Sequence, residues 1–254
     1  MIPGMPATTI DGVIDQLQDI IDESIRTASR LGYFAALYKR MTLAVKAGIA
    51  RGVFDDNARI EALDVAFANR YLATRAQYLA GESPGVCWLQ AYAAADSDAH
   101  IVLQHLLAGI NPHIMIDLGV AAARTCPGDE LAGLAKDFGT INDVIYGLMP
   151  VVDAELDALS PVTATIDHVA GRFKDAAIFD AMEKGRTSAW DFAQSLAYLS
   201  REQQAQRIGA RDLEARLLGD VILAGNPLIA LIRRHESQDV AANIRRLDAP
   251  APPS

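Results

Sequence analysis

Asp96-Ser-Asp-Ala-His-Ile-Val-Leu-Gln-His-Leu-Leu-Ala-Gly-Ile-Asn-Pro-His-Ile-Met-Ile-Asp-Leu118 holds three of the chain's five histidines (His100, His105, His113) and three carboxylates (Asp96, Asp98, Asp117). Most of them are embedded in Ile, Val, Leu and Met. Burying such groups unpaired costs ~1–3 kcal/mol or more each, so they must find partners or coordinate something. The stretch therefore marks a site, although it names no reaction. His113 and Asp117 are four apart, which on a helix puts both on one face. Gly109 permits close approach. Pro112 lacks a backbone donor and disfavours helix at Asn111, which predicts a bend or a break there, with Asn111 as the cap of a new helix.

Working outward, the apolar residues recur at helical spacing. Ile10 to Ile25 forms a stripe that Thr8 or Thr9 can cap. Tyr33 to Ala50 follows and stops at Gly52. Asp56 caps a long helix through Ile60, Leu63, Phe67, Tyr71 and Leu79, ending at Gly81, and a short helix runs from about Cys87 to Ala95. Beyond the central stretch, Pro127-Gly-Asp129 opens a helix from Glu130 to Phe138. Thr140 opens another to about Leu159, bent or interrupted at Pro150. Further helices are expected from Ser160 to about Lys184, Ser188 to Leu199, Arg201 to Leu223 and Leu228 to His235. No segment alternates with period two. The expectation is an all-α fold of about ten helices in a single domain over residues 8–247, after a flexible lead-in at 1–7 and before a proline-rich disordered tail at 248–254.

Composition narrows the function classes. The formal net charge of −9 argues against a nucleic-acid partner, because phosphate neutralisation needs clustered Lys and Arg. Two distant cysteines, Cys87 and Cys126, exclude a cysteine-based zinc finger or a disulfide framework. The start shows no signal-peptide pattern, and the apolar run Val221–Ile232 is broken by Gly225, Asn226 and Pro227, so the expectation is a cytoplasmic protein without a membrane partner. Standard nucleotide-binding loops, serine-hydrolase elbows and His-Glu-x-x-His motifs do not occur.

Gly109-Ile-Asn-Pro-His-Ile-Met-Ile-Asp-Leu118 resembles the Gly-(Ile/Met)-Asn-Ala-His-Ile-Asn-x-Asp-Leu signature of the domain of unknown function 5995 family. Gly109, Asn111, His113, Ile114, Asp117 and Leu118 match; Pro112 and Met115 depart from it. Weaker echoes lie in Gly52-Val-Phe-Asp55, Phe67-Ala-Asn-Arg-Tyr-Leu72, and Asp137-Phe138 with Asn142. The resemblance spans roughly residues 30–200 and implies a helical protein without an established activity. His113-x-x-x-Asp117 is also similar to a fragment of helical zinc phospholipase C and nuclease sites. Asp55-Asp56-Asn-Ala-Arg-Ile-Glu61 is similar to a Mg²⁺-binding prenyl-diphosphate motif, but no second copy is found and Asp56 already serves as a helix cap.

Three readings follow. In the first, His105, His113 and Asp117 bind Zn²⁺ or Fe²⁺, and a bound water attacks an ester or phosphoester. In the second, a metal-free pocket binds or cyclises a small apolar molecule, with His113 and Asp117 as acid–base pair and Asn111 as donor. In the third, the pair only locks the core of a scaffold or partner-binding protein. The first two readings require a small-molecule ligand and a cavity beside His113. Its expected walls are Tyr38, Phe67 and Tyr71, with the helix carrying Asp137, Phe138 and Asn142 opposite. His105 is also placed to meet Asp98, two helical turns earlier. His100, His168 and His235 are weaker candidates.

Overall fold

The computed structural model describes residues 5–160 and 173–249, apart from the side chains at 149 and 173–183. It is all-α, a single compact arrangement of eleven helices, with no strand among the described residues. These are α1 Ile10–Thr27, α2 Leu31–Arg51, α3 Asn57–Leu79, α4 Val86–Ala95, α5 Val102–Thr125, α6 Glu130–Tyr146, α7 Met149–Leu159, α8 Phe173–Leu196, α9 Arg201–Ile222, α10 Pro227–His235 and α11 Val240–Asp248.

Local chemistry sets most of these limits. The Thr9 side chain accepts from Gly12 N and Asp56 from Arg59 N, each satisfying a donor that a helix start leaves free. Ser200 and Gln203 form a reciprocal capping box at the start of α9. Gly52 ends α2 in the left-handed conformation at φ 66°, where a side chain would be strained.

α5 runs through the middle of the molecule, with α2, α3, α4, α8 and α9 packed on it, while α1 and α11 cover the far side of α2. By length and composition α5 could cross a membrane, but 78% of its apolar window is buried inside the protein, as in a core helix. Two glycines admit its neighbours. A Cβ on Gly109 would lie 2.5 Å from Cγ of Phe34, and one on Gly119 would lie 2.8 Å from the Ala189 carbonyl oxygen. The Gln104 amide donates to the carbonyls of Ile222 (2.8 Å) and Ala224 (3.2 Å), tying the end of α9 to α5.

Several boundaries differ from expectation. The chain does not break at Asn111-Pro112. α5 continues through Pro112 by widening into a π-helical turn, His113–Leu118. Such a turn uses i→i+5 bonds and accommodates a local fault in the ladder without ending the helix; these turns occur frequently at functional sites. Asn111 is therefore no helix cap. The break expected near residue 139 falls instead at Gly147-Leu148, with Pro150 in the first turn of α7, where its missing N–H costs nothing. No break separates Lys184 from Ser188, because α8 passes straight through. α11 was not foreseen. Ala7, assigned to the lead-in, is anchored: its backbone exchanges hydrogen bonds with the Asn69 amide at 2.7 and 2.9 Å. His168, the start of the helix expected at Ser160 and the end of the tail lie outside the described residues.

Candidate functional site

The π turn of α5 presents His113 and Asp117 to α3 and α4, and both are buried, Asp117 completely. Asp117 accepts from three donors: Arg70 Nε at 2.7 Å, Trp88 Nε1 at 3.0 Å and His113 Nδ1 at 3.3 Å. Burial alone would raise the Asp117 pKa, but the Arg70 guanidinium, His113 and the Trp88 N–H together hold it below the usual carboxylate range. Burial lowers the pKa of His113, and Asp117 only partly offsets this. The pair is thus a carboxylate beside a neutral imidazole. A carboxylate only accepts, so Nδ1 must carry the ring proton and Nε2 the lone pair. Nε2 is buried without a hydrogen-bond partner.

The His113 ring forms part of the wall of a cavity of about 50 Å³. That is room for a few waters or a few ligand atoms. The wall is mainly apolar: Phe34 from α2, Leu63 and Phe67 from α3, Ile114 from α5, Ile141 and Ile145 from α6. Phe67 stacks on His113 and Tyr38 meets it edge-on at 4.5 Å. Five polar groups interrupt this wall, one of them Thr42, whose hydroxyl donates to the Tyr38 carbonyl at 3.1 Å. Besides Thr42 and His113 they are Tyr38, whose hydroxyl has no partner; Asp64, whose Oδ2 has none; and Arg186. Burial, with Glu61 adding to it, pushes Asp64 up to about 7. Burial lowers Arg186 to about 10.

The expected site residues separate into those that meet and those that do not. His113, Asp117, Tyr38 and Phe67 come together. Tyr71 stands behind Phe34, edge-on at 5.1 Å, and lines a separate, smaller space with Trp88. Asn142 accepts from Arg186 Nε, so it supports the wall from behind. Asn111 points elsewhere: its amide donates to the Ala215 carbonyl at 2.7 Å and contacts Cys87 Sγ at 3.4 Å, joining α5 to α9 and α4. Asp137 is not in the wall. Its carboxylate accepts from the backbone N–H groups of Asp55 (2.7 Å) and Asp56 (3.0 Å), fixing the turn before α3.

The expected metal ligands do not assemble. His105 sits away from the pair, its ring against Tyr33 (5.7 Å) and His100 (5.8 Å). Burial drives its pKa down to about 3. Among the described residues no group of three or more His, Cys, Asp or Glu side chains is placed to hold a metal ion. Both Asp117 oxygens are already occupied by donors. The physical reason is helical: His105 lies two turns before His113, beyond the reach of a shared ion on a continuous rod.

Four contributors were missed: Trp88, and three charged residues that each left a trace. Asp64 lies in the apolar stripe Ile60-Leu63-Phe67-Tyr71. Arg186 precedes Ala189, Ala193 and Leu196 on a face that is otherwise fully apolar and buried. Arg70 lies beside Tyr71 in one of the family-like echoes. A charge inside a buried stripe is the signal in the first two cases.

Together these features define an all-helical protein with a fixed His–Asp–Arg cluster beside a largely apolar internal cavity. The chain belongs to a family of unknown function, DUF5995, whose model matches residues 10–225. No curated protein and no solved structure matches it.

Proposed function

We propose that the protein binds a small, largely apolar molecule in the cavity beside His113 and acts on it by metal-free acid–base chemistry. One observation carries this reading: the His113 ring lines an apolar cavity with Nε2 unpartnered, while Nδ1 is held by an ionised Asp117. This is the arrangement a general base requires. A second group fixes its tautomer and orientation, and its lone pair is left for a substrate proton. Asp117 is a positioning residue, kept charged by Arg70 and Trp88. Tyr38, whose hydroxyl is raised well above 10 by burial and nearby Asp64, remains protonated and supplies a donor close to the same ring. A cavity at this point also favours an enzyme or binding protein over a scaffold, since a pair that only locks helices needs no empty space beside it.

Metal-dependent hydrolysis has less support, because the donor set it requires is dispersed and the Asp117 oxygens are engaged. The test uses full-length protein purified without a His-tag and treated with chelator. A panel of small apolar alcohols, ketones, amides and acids should contain members that raise Tm, and His113→Gln should weaken that response. If no panel member stabilises the wild type, the pocket reading is wrong. A stoichiometric metal found before the chelator treatment and lost in His113→Gln would return the hydrolase reading to first place.

A further inference from the structure

We infer that the ligand of this cavity carries an anionic head, a carboxylate on a short apolar body, which docks on the Arg186 guanidinium. This inference rests on the pocket reading above and names its ligand class.

Arg186 is 4% exposed and lines the cavity. Its Nε donates to the Asn142 side chain, one terminal nitrogen donates to the Phe138 carbonyl at 3.1 Å, and the guanidinium lies 4.7 Å above the Phe138 ring. All three contacts orient the cation without neutralising it: two are neutral acceptors and one is a π face. Among the described residues no carboxylate forms an ion pair with Arg186, although Asp64 stands in the same wall. The contrast with Arg70 is instructive. That cation is more exposed, yet it is paired with Asp117 at 2.7 Å. A buried cation with no counter-charge among the described residues is costly to keep, and a bound anion would offset that cost. A planar guanidinium held by Nε and one terminal nitrogen still offers N–H groups in the fork geometry that matches a carboxylate. Apart from Tyr38, Thr42, Asp64 and His113 the rest of the wall is apolar, and the cavity's modest volume calls for a short body.

The experiment compares hexanoate with hexanamide, which share shape and differ in charge, by calorimetry on full-length protein. At about pH 6 the acid is ionised while most of Asp64 is uncharged. Hexanoate should bind about 10–100-fold more tightly than hexanamide, the difference a charge-assisted hydrogen bond supplies. Arg186→Met should remove that advantage, so that the variant binds hexanoate no more tightly than hexanamide. A crystal structure with hexanoate should place its carboxylate on Arg186, which settles the point even if Arg186→Met does not fold. Equal binding of the two compounds, or a carboxylate found elsewhere, would overturn the anionic-head inference and leave the apolar pocket standing. Binding of neither would remove both.

Discussion

His113 lies flat on Phe67, ring centroids 3.7 Å apart and planes inclined by 10°. The stack fixes the imidazole plane, and the Asp117 contact fixes its rotation within that plane. Together they leave Nε2 one orientation. Residues from two helices are needed for this, and neither helix alone contains a site.

The His113–Asp117 contact predicts strong coupling. Asp117→Ala strands the Arg70 guanidinium as well as two N–H donors and should cost about 3–5 kcal/mol, as breaking a buried pair does. His113→Ala should cost about 1–3 kcal/mol, since Asp117 keeps two donors. In a double-mutant cycle read by urea unfolding, the two losses should be far from additive. Additivity would mean that the side chains do not interact.

Trp88→Phe isolates one donor. It keeps the aromatic packing and deletes the 3.0 Å bond to Asp117. A loss of about 1.5–3 kcal/mol is expected, typical of a bond to a charged acceptor. The pKa of Asp117, followed by NMR, should rise. An unchanged pKa would show that Arg70 and His113 hold the carboxylate without Trp88.

Gly109→Ala should destabilise by about 1–3 kcal/mol through overpacking, because the new methyl meets the Phe34 side chain well inside contact distance. Phe34 is a wall residue, so ligand-induced Tm shifts should fall as well. Full stability in this variant would contradict the close packing of α2 on α5.

Asp64 gives a pH signature. Its folded pKa, about 7, lies above the unfolded value near 4, so the native state binds the extra proton. The stability it contributes is complete below the unfolded value and is lost as pH rises through about 7. His105 and His113 act oppositely. Their folded values are depressed, so stability falls as pH drops below about 6.5, the unfolded histidine value. Asp64→Asn removes only the first effect. Relative to wild type, this variant should therefore gain stability between pH 5 and pH 8, measured by urea unfolding at both. A constant difference would place Asp64 in water.

The sequence by itself determined the helical class, most helix starts and stops, and the pairing of His113 with Asp117. These are local matters. Apolar spacing selects the period, Thr9, Asp56 and Gly52 act within one turn, and residues four apart share a face. Local rules did not foresee passage through Pro112, because neighbours packed on every side of α5 make a widened turn less costly than an exposed helix end. Only the tertiary structure decided that Arg70 and Trp88 converge on Asp117, that Asp64 and Arg186 enter the His113 cavity, and that His105 and Asn111 do not. Those contacts join residues 24 to 104 apart in sequence, such as Asn111 with Cys87 and with Ala215. Which face meets which depends on how the whole set of helices packs, and no pattern within a single helix encodes it.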